Sequence, residues 1–179
     1  MYNPLFLLYV ATFSASLFAF LVAFASIDVA VLGRGSADRM PRRGPALFMV
    51  TSGLVLFAVW ALPVILAATR GQVPERLDSY STLVTHALDL GIIMPATFVA
   101  GVLILRRRPL GYLLALSMLV LEALLAPLIA AQTVAQLAAG VTFPPGQIIG
   151  PIAGFGILAI VAVSVLVAML RRVDSRQQC

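Results

Sequence analysis

The residues best able to do chemistry are few, and they sit in apolar surroundings. His86 is the only histidine in the chain, and Asp89 follows it by three positions. Residues three apart on a helix point the same way, so an imidazole and a carboxyl share one face. Extending that face collects Thr82, Ile93, Thr97 and Gly101. Glu122 is the other acid deep in an apolar stretch; Thr133 lies almost on its face and Gln136 close by. Tyr9, Thr12 and Ser16, spaced by three and four, share a face of a third apolar stretch. Imidazole changes charge near neutral pH. Next to two carboxyls it suits a proton-linked or cation-linked ligand site. The plainer alternative is a polar cluster that holds helices together, at about 0.6 kcal/mol per hydrogen bond.

One imidazole and two carboxyls are a donor set for a divalent ion. No spacing here matches a metal motif, so no metal is expected. The sequence lacks GxSxG, HExxH, CxxC and a glycine-rich phosphate loop. No catalytic residue is therefore assigned, and a non-enzyme is the favoured reading. A single histidine cannot supply two axial haem ligands, and nothing names a cofactor. Cys179 is the only cysteine, so no intramolecular disulfide forms.

The elements that must position these groups follow from composition. The chain is 61% apolar and 11% charged, with mean hydropathy +1.06. Soluble chains carry about 25% charged residues, so a lipid bilayer is the expected partner for most of the outside. Five apolar stretches predict five helices, at residues 4–27, 46–69, 83–105, 110–137 and 148–170. Each reaches the roughly 20 residues that cross a hydrocarbon core. The fold class is all-α, a polytopic transmembrane bundle forming one domain over residues 1–179. The first stretch is too long, and its start too uncharged, for a cleavable signal, so it is expected to stay in the mature protein. Pro63, Pro95 and Pro127 fall inside predicted helices and should bend them. Trp60, near the end of the second, reads as an interfacial anchor.

All the basic residues are arginine, and ten of the twelve fall on one side of the five-span arrangement. The topogenic set is Arg34, Arg39, Arg42 and Arg43 after the first span, Arg106, Arg107 and Arg108 after the third, and Arg171 and Arg172 after the fifth. This bias places the C-terminus in the cytoplasm, the N-terminus outside, and the protein in the inner (plasma) membrane. It also accounts for the sequence pI of about 10.4 without nucleic acid. In that orientation the polar groups of three spans occupy the outer half of the bilayer. They are expected to converge on one outward-facing pocket, with His86, Asp89 and Glu122 at its floor. Gly146, Gly150 and Gly154 make two overlapping GxxxG patterns, which let helices approach closely. Packing inside the chain is the expectation for them, with a homo-oligomer or a membrane partner protein as the alternative.

Three functional readings follow. The first is a small transport or sensing component built on the polar pocket. The second is a non-catalytic membrane subunit that packs against a partner. The third, least favoured, is an intramembrane enzyme using the same carboxyls.

Two patches carry a resemblance: NPLFLLYVA at Asn3–Ala11, and THALDLGIIMPATFVAGVLILRRRPLGYLLA at Thr85–Ala115. The second is the more specific, with His86, Asp89, Arg106, Arg107, Arg108, Pro109, Gly111 and Tyr112. Together they resemble a group of uncharacterised multi-pass bacterial membrane proteins. The resemblance implies a helical membrane fold and no particular activity. It also implies hydrophobic helices upstream of the first patch, so that this chain would be a shortened form.

Overall fold

The computed structural model describes residues 5–29, 40–73 and 84–174, all helix or short connection, with no strand among them. Five helices are long and apolar enough to cross a membrane. They are α1 (Phe6–Ser26), α2 (Arg43–Thr69), a composite α3, α4 (Pro109–Ala138) and α5 (Pro145–Asp174). Helices suit an apolar solvent because every backbone polar group is satisfied within the segment. Prolines set two of the starts. Pro109 and Pro145 stand in first turns, where a missing N–H leaves nothing unpaired. For that reason α5 begins at Pro145, ahead of the expected 148.

The third helix has three parts: Val84–Leu88 in α form, a π-helical turn over Asp89–Ile93, and an α-helical body Met94–Leu105. In the wide turn the Met94 N–H donates to the Asp89 carbonyl, five residues back. Pro95 has no N–H to return to the preceding turn, and its ring crowds that turn's carbonyls. The bend expected at Pro95 is thus absorbed as a π turn, and the turn begins at the acid.

The helices end alike. After α2 and α4, Gly71 and Gly140 take positive φ angles of 63° and 83°. Behind them Gln72 N donates to Ala67 O at 2.9 Å and Val141 N to Gln136 O at 3.0 Å. At the end of α3 the same motif forms on an arginine. Arg107 has φ 55°, and Arg108 N donates to Leu103 O at 2.9 Å. Pro109 follows directly, giving a three-residue turn between α3 and α4.

The packing order is α2 on α3, α3 on α4, α4 on α5. Neighbours run antiparallel. Gly101 of α3 lies against Ala46 and Val50 of α2, Gly53 against Phe98, and Trp60 against His86. Gly111 sits tightest: a Cβ there would lie 2.6 Å from Ile104 N and 2.7 Å from Leu103 C. The buried core gathers at the arginine end, around Met49, Ala100, Ile104, Tyr112, Ala115, Leu119, Ala162 and Met169. The outer surface is apolar, with Leu124, Val134, Ile157 and Ile160 all exposed.

Helix α1 stands apart. None of its residues is buried. A Cβ added at Gly146, Gly150 or Gly154 would also meet nothing within 4 Å among the described residues. The packing expected of them inside the chain is therefore not seen on the Cβ side among the described residues. Glycine spacing makes a flat face, and a flat face does not name its neighbour. The close approaches fall instead at Gly53, Gly101 and Gly111. Arg34, Arg39 and Thr82 lie outside the described residues. Arg42, Arg43, Arg106, Arg107, Arg108, Arg171 and Arg172 cluster at one end of the antiparallel bundle, as helix bounds of alternating direction require.

Candidate functional site

Opposite the arginine end the bundle is hollow. A cavity of about 520 Å³ lies between α2, α3, α4 and α5. Its wall on α4 is the stripe Glu122, Leu125, Ile129 and Gln132, spaced by three and four. On α2, Phe48, Ser52, Val55 and Val59 follow the same seven-residue period. That period keeps one stripe facing inward along a left-handed helix pair. On α3, Asp89, Ile93 and Thr97 line it at intervals of four. Phe155 and Leu158 of α5 close the far side.

Glu122 is the buried carboxyl of the cavity, with only 5% of its surface exposed. Its Oε2 is buried with no hydrogen-bond partner. Ser52 is the side chain within hydrogen-bonding range of the carboxyl. Yet Ser52 Oγ also donates to Phe48 O at 2.6 Å, so one hydroxyl proton has two acceptors. Thr51 and Thr97 spend theirs on the carbonyls of Leu47 and Ile93, one turn back on their own helices. Each of these two hydroxyls can offer only lone pairs to a ligand.

Asp89 sits in a different environment. It is hydrogen-bonded by the side chain of Trp60, and His86 acts on it electrostatically. The indole can only donate, so Nε1–H gives its proton to the carboxyl. The rings of Trp60 and His86 meet with centroids 4.1 Å apart at 55°. Trp60 therefore bridges the sequence pair: its ring meets one member at a tilt and its N–H bonds the other. Its expected role as an interfacial anchor becomes a place in the cavity wall.

Of the sequence-derived pocket set, Asp89, Thr97 and Glu122 line this one cavity. His86 does not; it is half-buried behind Trp60. Thr133 and Gln136 do not line it either, and Thr133 Oγ1 donates to Ile129 O at 2.8 Å. The reason is the period. An eleven-residue step from Glu122 reaches Thr133, but the inward stripe repeats every seven and reaches Gln132. Tyr9, Thr12 and Ser16 are exposed on α1, with Tyr9 at 57%, and take no part. They share a face, but that face is not covered by the described residues. Sequence reasoning missed Thr51, Ser52, Trp60 and Gln132. Their spacing of three and four with the apolar residues between them was the available signal.

Among the described residues, no group of three or more His, Cys, Asp or Glu side chains is placed to hold a metal ion. Comparison with protein families, curated proteins and solved structures gives no match for this chain.

Proposed function

We propose that this is an integral membrane protein of five spans and one domain, a small transport or sensing component whose polar cavity opens away from the cytoplasm. The arginine bias supports a cytoplasmic C-terminus in the plasma membrane. The observation that carries the functional reading is Glu122. A carboxyl in an apolar span is costly, by about 2.5–3.5 kcal/mol on insertion scales. Here it is buried, keeps one oxygen without a partner, and faces a hollow of drug-like size. A group kept only to join helices would be satisfied by them.

Two experiments test this. Cys179 is the single cysteine, so a membrane-impermeant maleimide should label inside-out vesicles and spare right-side-out ones. Labelling only from the outside would reverse the orientation. For the function, a panel of small organic molecules is scored by thermal unfolding of the full chain. A ligand that binds only the folded state raises the midpoint. Asp89→Asn and Glu122→Gln should remove that ligand dependence and leave assembly intact.

A second reading has its own support. Among the described residues, α1 has no buried residue and the glycine run of α5 has open space at its Cβ positions. A membrane subunit that docks on a partner, or on a second copy, would use them. If Gly150→Leu or Gly154→Leu destroys assembly while both acid variants behave as wild type, this reading replaces the first.

A further inference from the structure

The two acids of the cavity do different jobs, and the difference identifies a ligand class. Asp89 is engaged: it takes the Trp60 indole proton and has His86 beside it. Glu122 is not engaged in that way; its Oε2 is buried and has no partner. Around it the cavity offers acceptors. Thr51 and Thr97 have already donated to Leu47 O and Ile93 O. The Ser52 hydroxyl proton is shared between Phe48 O and the Glu122 carboxyl, so Ser52 has none to spare for a ligand. Among the described residues, no arginine lines the cavity. Gln132, at the exposed rim, is the one amide donor among the described residues of the wall. The rest of the wall is apolar or aromatic, including Phe48, Leu125, Phe155 and Trp60.

A wall with one buried carboxyl, hydroxyl lone pairs and no cationic side chain repels anions. A neutral ligand could give the carboxyl a hydrogen bond but no compensating charge. A hydrated metal ion needs more oxygen ligands and less apolar surface. What fits is a charged head with N–H donors on an apolar body, with an aromatic face close by for the cation. We infer that the cavity binds a monovalent organic ammonium with a hydrophobic body, its nitrogen on Glu122 and its body along α4 and α5. Asp89 and His86 then act as positioning residues that hold the Trp60 ring. This inference rests on the cavity being a ligand site, as proposed above.

The test uses the full chain in detergent and the fluorescence of Trp60, the only tryptophan. Three probes share one body and differ in charge: 4-bromobenzylamine, 4-bromobenzyl alcohol and 4-bromobenzoate. Bromine quenches indole on contact. The amine should quench saturably, the alcohol more weakly, the benzoate not at all. Glu122→Gln should weaken the amine by about tenfold or more, the loss of a charge-assisted hydrogen bond, and weaken the alcohol much less. Equal binding of amine and alcohol, with no effect of Glu122→Gln, overturns the ammonium assignment but keeps the ligand cavity. Preference for the benzoate also overturns it. No saturable quenching by any probe removes the ligand site itself. The charge series on the unmodified chain decides the matter even where Glu122→Gln fails to fold.

Discussion

Gly111→Ala is the perturbation whose cost the structure fixes best. An alanine Cβ at this position would sit 2.6 Å from Ile104 N and from Leu103 Cβ, and 2.7 Å from Leu103 C. Carbon contacts are optimal at about 3.5–4.0 Å, so the start of α4 must move about 1 Å from the end of α3. Two of the three atoms are backbone and cannot rotate away. They also belong to the turn in which Arg107 N donates to Ile104 O and Arg108 N to Leu103 O, both at 2.9 Å. Overpacking costs about 1–3 kcal/mol, and one weakened hydrogen bond adds about 0.5–1.5 kcal/mol. The expected loss is therefore about 2–4 kcal/mol. Gly154→Ala is the control, because nothing lies within 4 Å of its Cβ position. Unfolding of both variants by titrating SDS into dodecyl maltoside micelles, followed by circular dichroism, gives the comparison. GxxxG spacing alone ranks these two glycines the other way. If Gly154→Ala costs as much as Gly111→Ala, the packing argument is wrong.

Other predictions rest on single features. Arg107→Gly relieves a left-handed residue worth about 1–2 kcal/mol, less about 0.5–1 kcal/mol for the freedom glycine has when unfolded. A gain near 1 kcal/mol should appear in the unfolding midpoint; a loss would mean that the arginine's own contacts outweigh the strain. Asp89→Asn weakens a charge-assisted bond to Trp60 and should lower stability by about 1.5–3 kcal/mol, with a shift in the single indole's emission. Unchanged emission would separate Asp89 from Trp60. Pro95→Ala restores an N–H and should let the π turn close to α form, turning Asp89 by about 100°. In that background Asp89→Asn should no longer move the emission.

The number of helices was legible because each apolar stretch is long enough to span and each break carries arginine, glycine or proline. Pairing His86 with Asp89 was legible in part. Their spacing gives a shared face, but the π turn at Asp89 and the ring of Trp60 decide what each touches. The joint appearance of Asp89, Thr97 and Glu122 came from their common depth in antiparallel spans, which sequence does encode. Neighbours across space were not legible. Tyr9, Thr12 and Ser16 read like pocket residues because a helical face looks the same whether or not another helix covers it. The glycines of α5 read like a packing face for the same reason. Thr133 reads as a pocket residue because an eleven-residue step from Glu122 matches a straight helix, whereas the packed stripe follows seven and includes Gln132.

The central claim is that α3 turns one side to a wet, negatively charged hollow and the other to lipid. Ile93 and Ile92 test it directly, being adjacent on the π turn. Ile93 lines the cavity and Ile92 is 58% exposed on the outside. In a Cys179→Ser background, Ile93→Cys and Ile92→Cys are reacted with a cationic and an anionic methanethiosulfonate in native membranes. Ile93→Cys should react, and faster with the cationic reagent than with the anionic one. Ile92→Cys, facing lipid, should react with neither. Equal reactivity at the two positions, or an anionic preference at Ile93→Cys, would contradict the account.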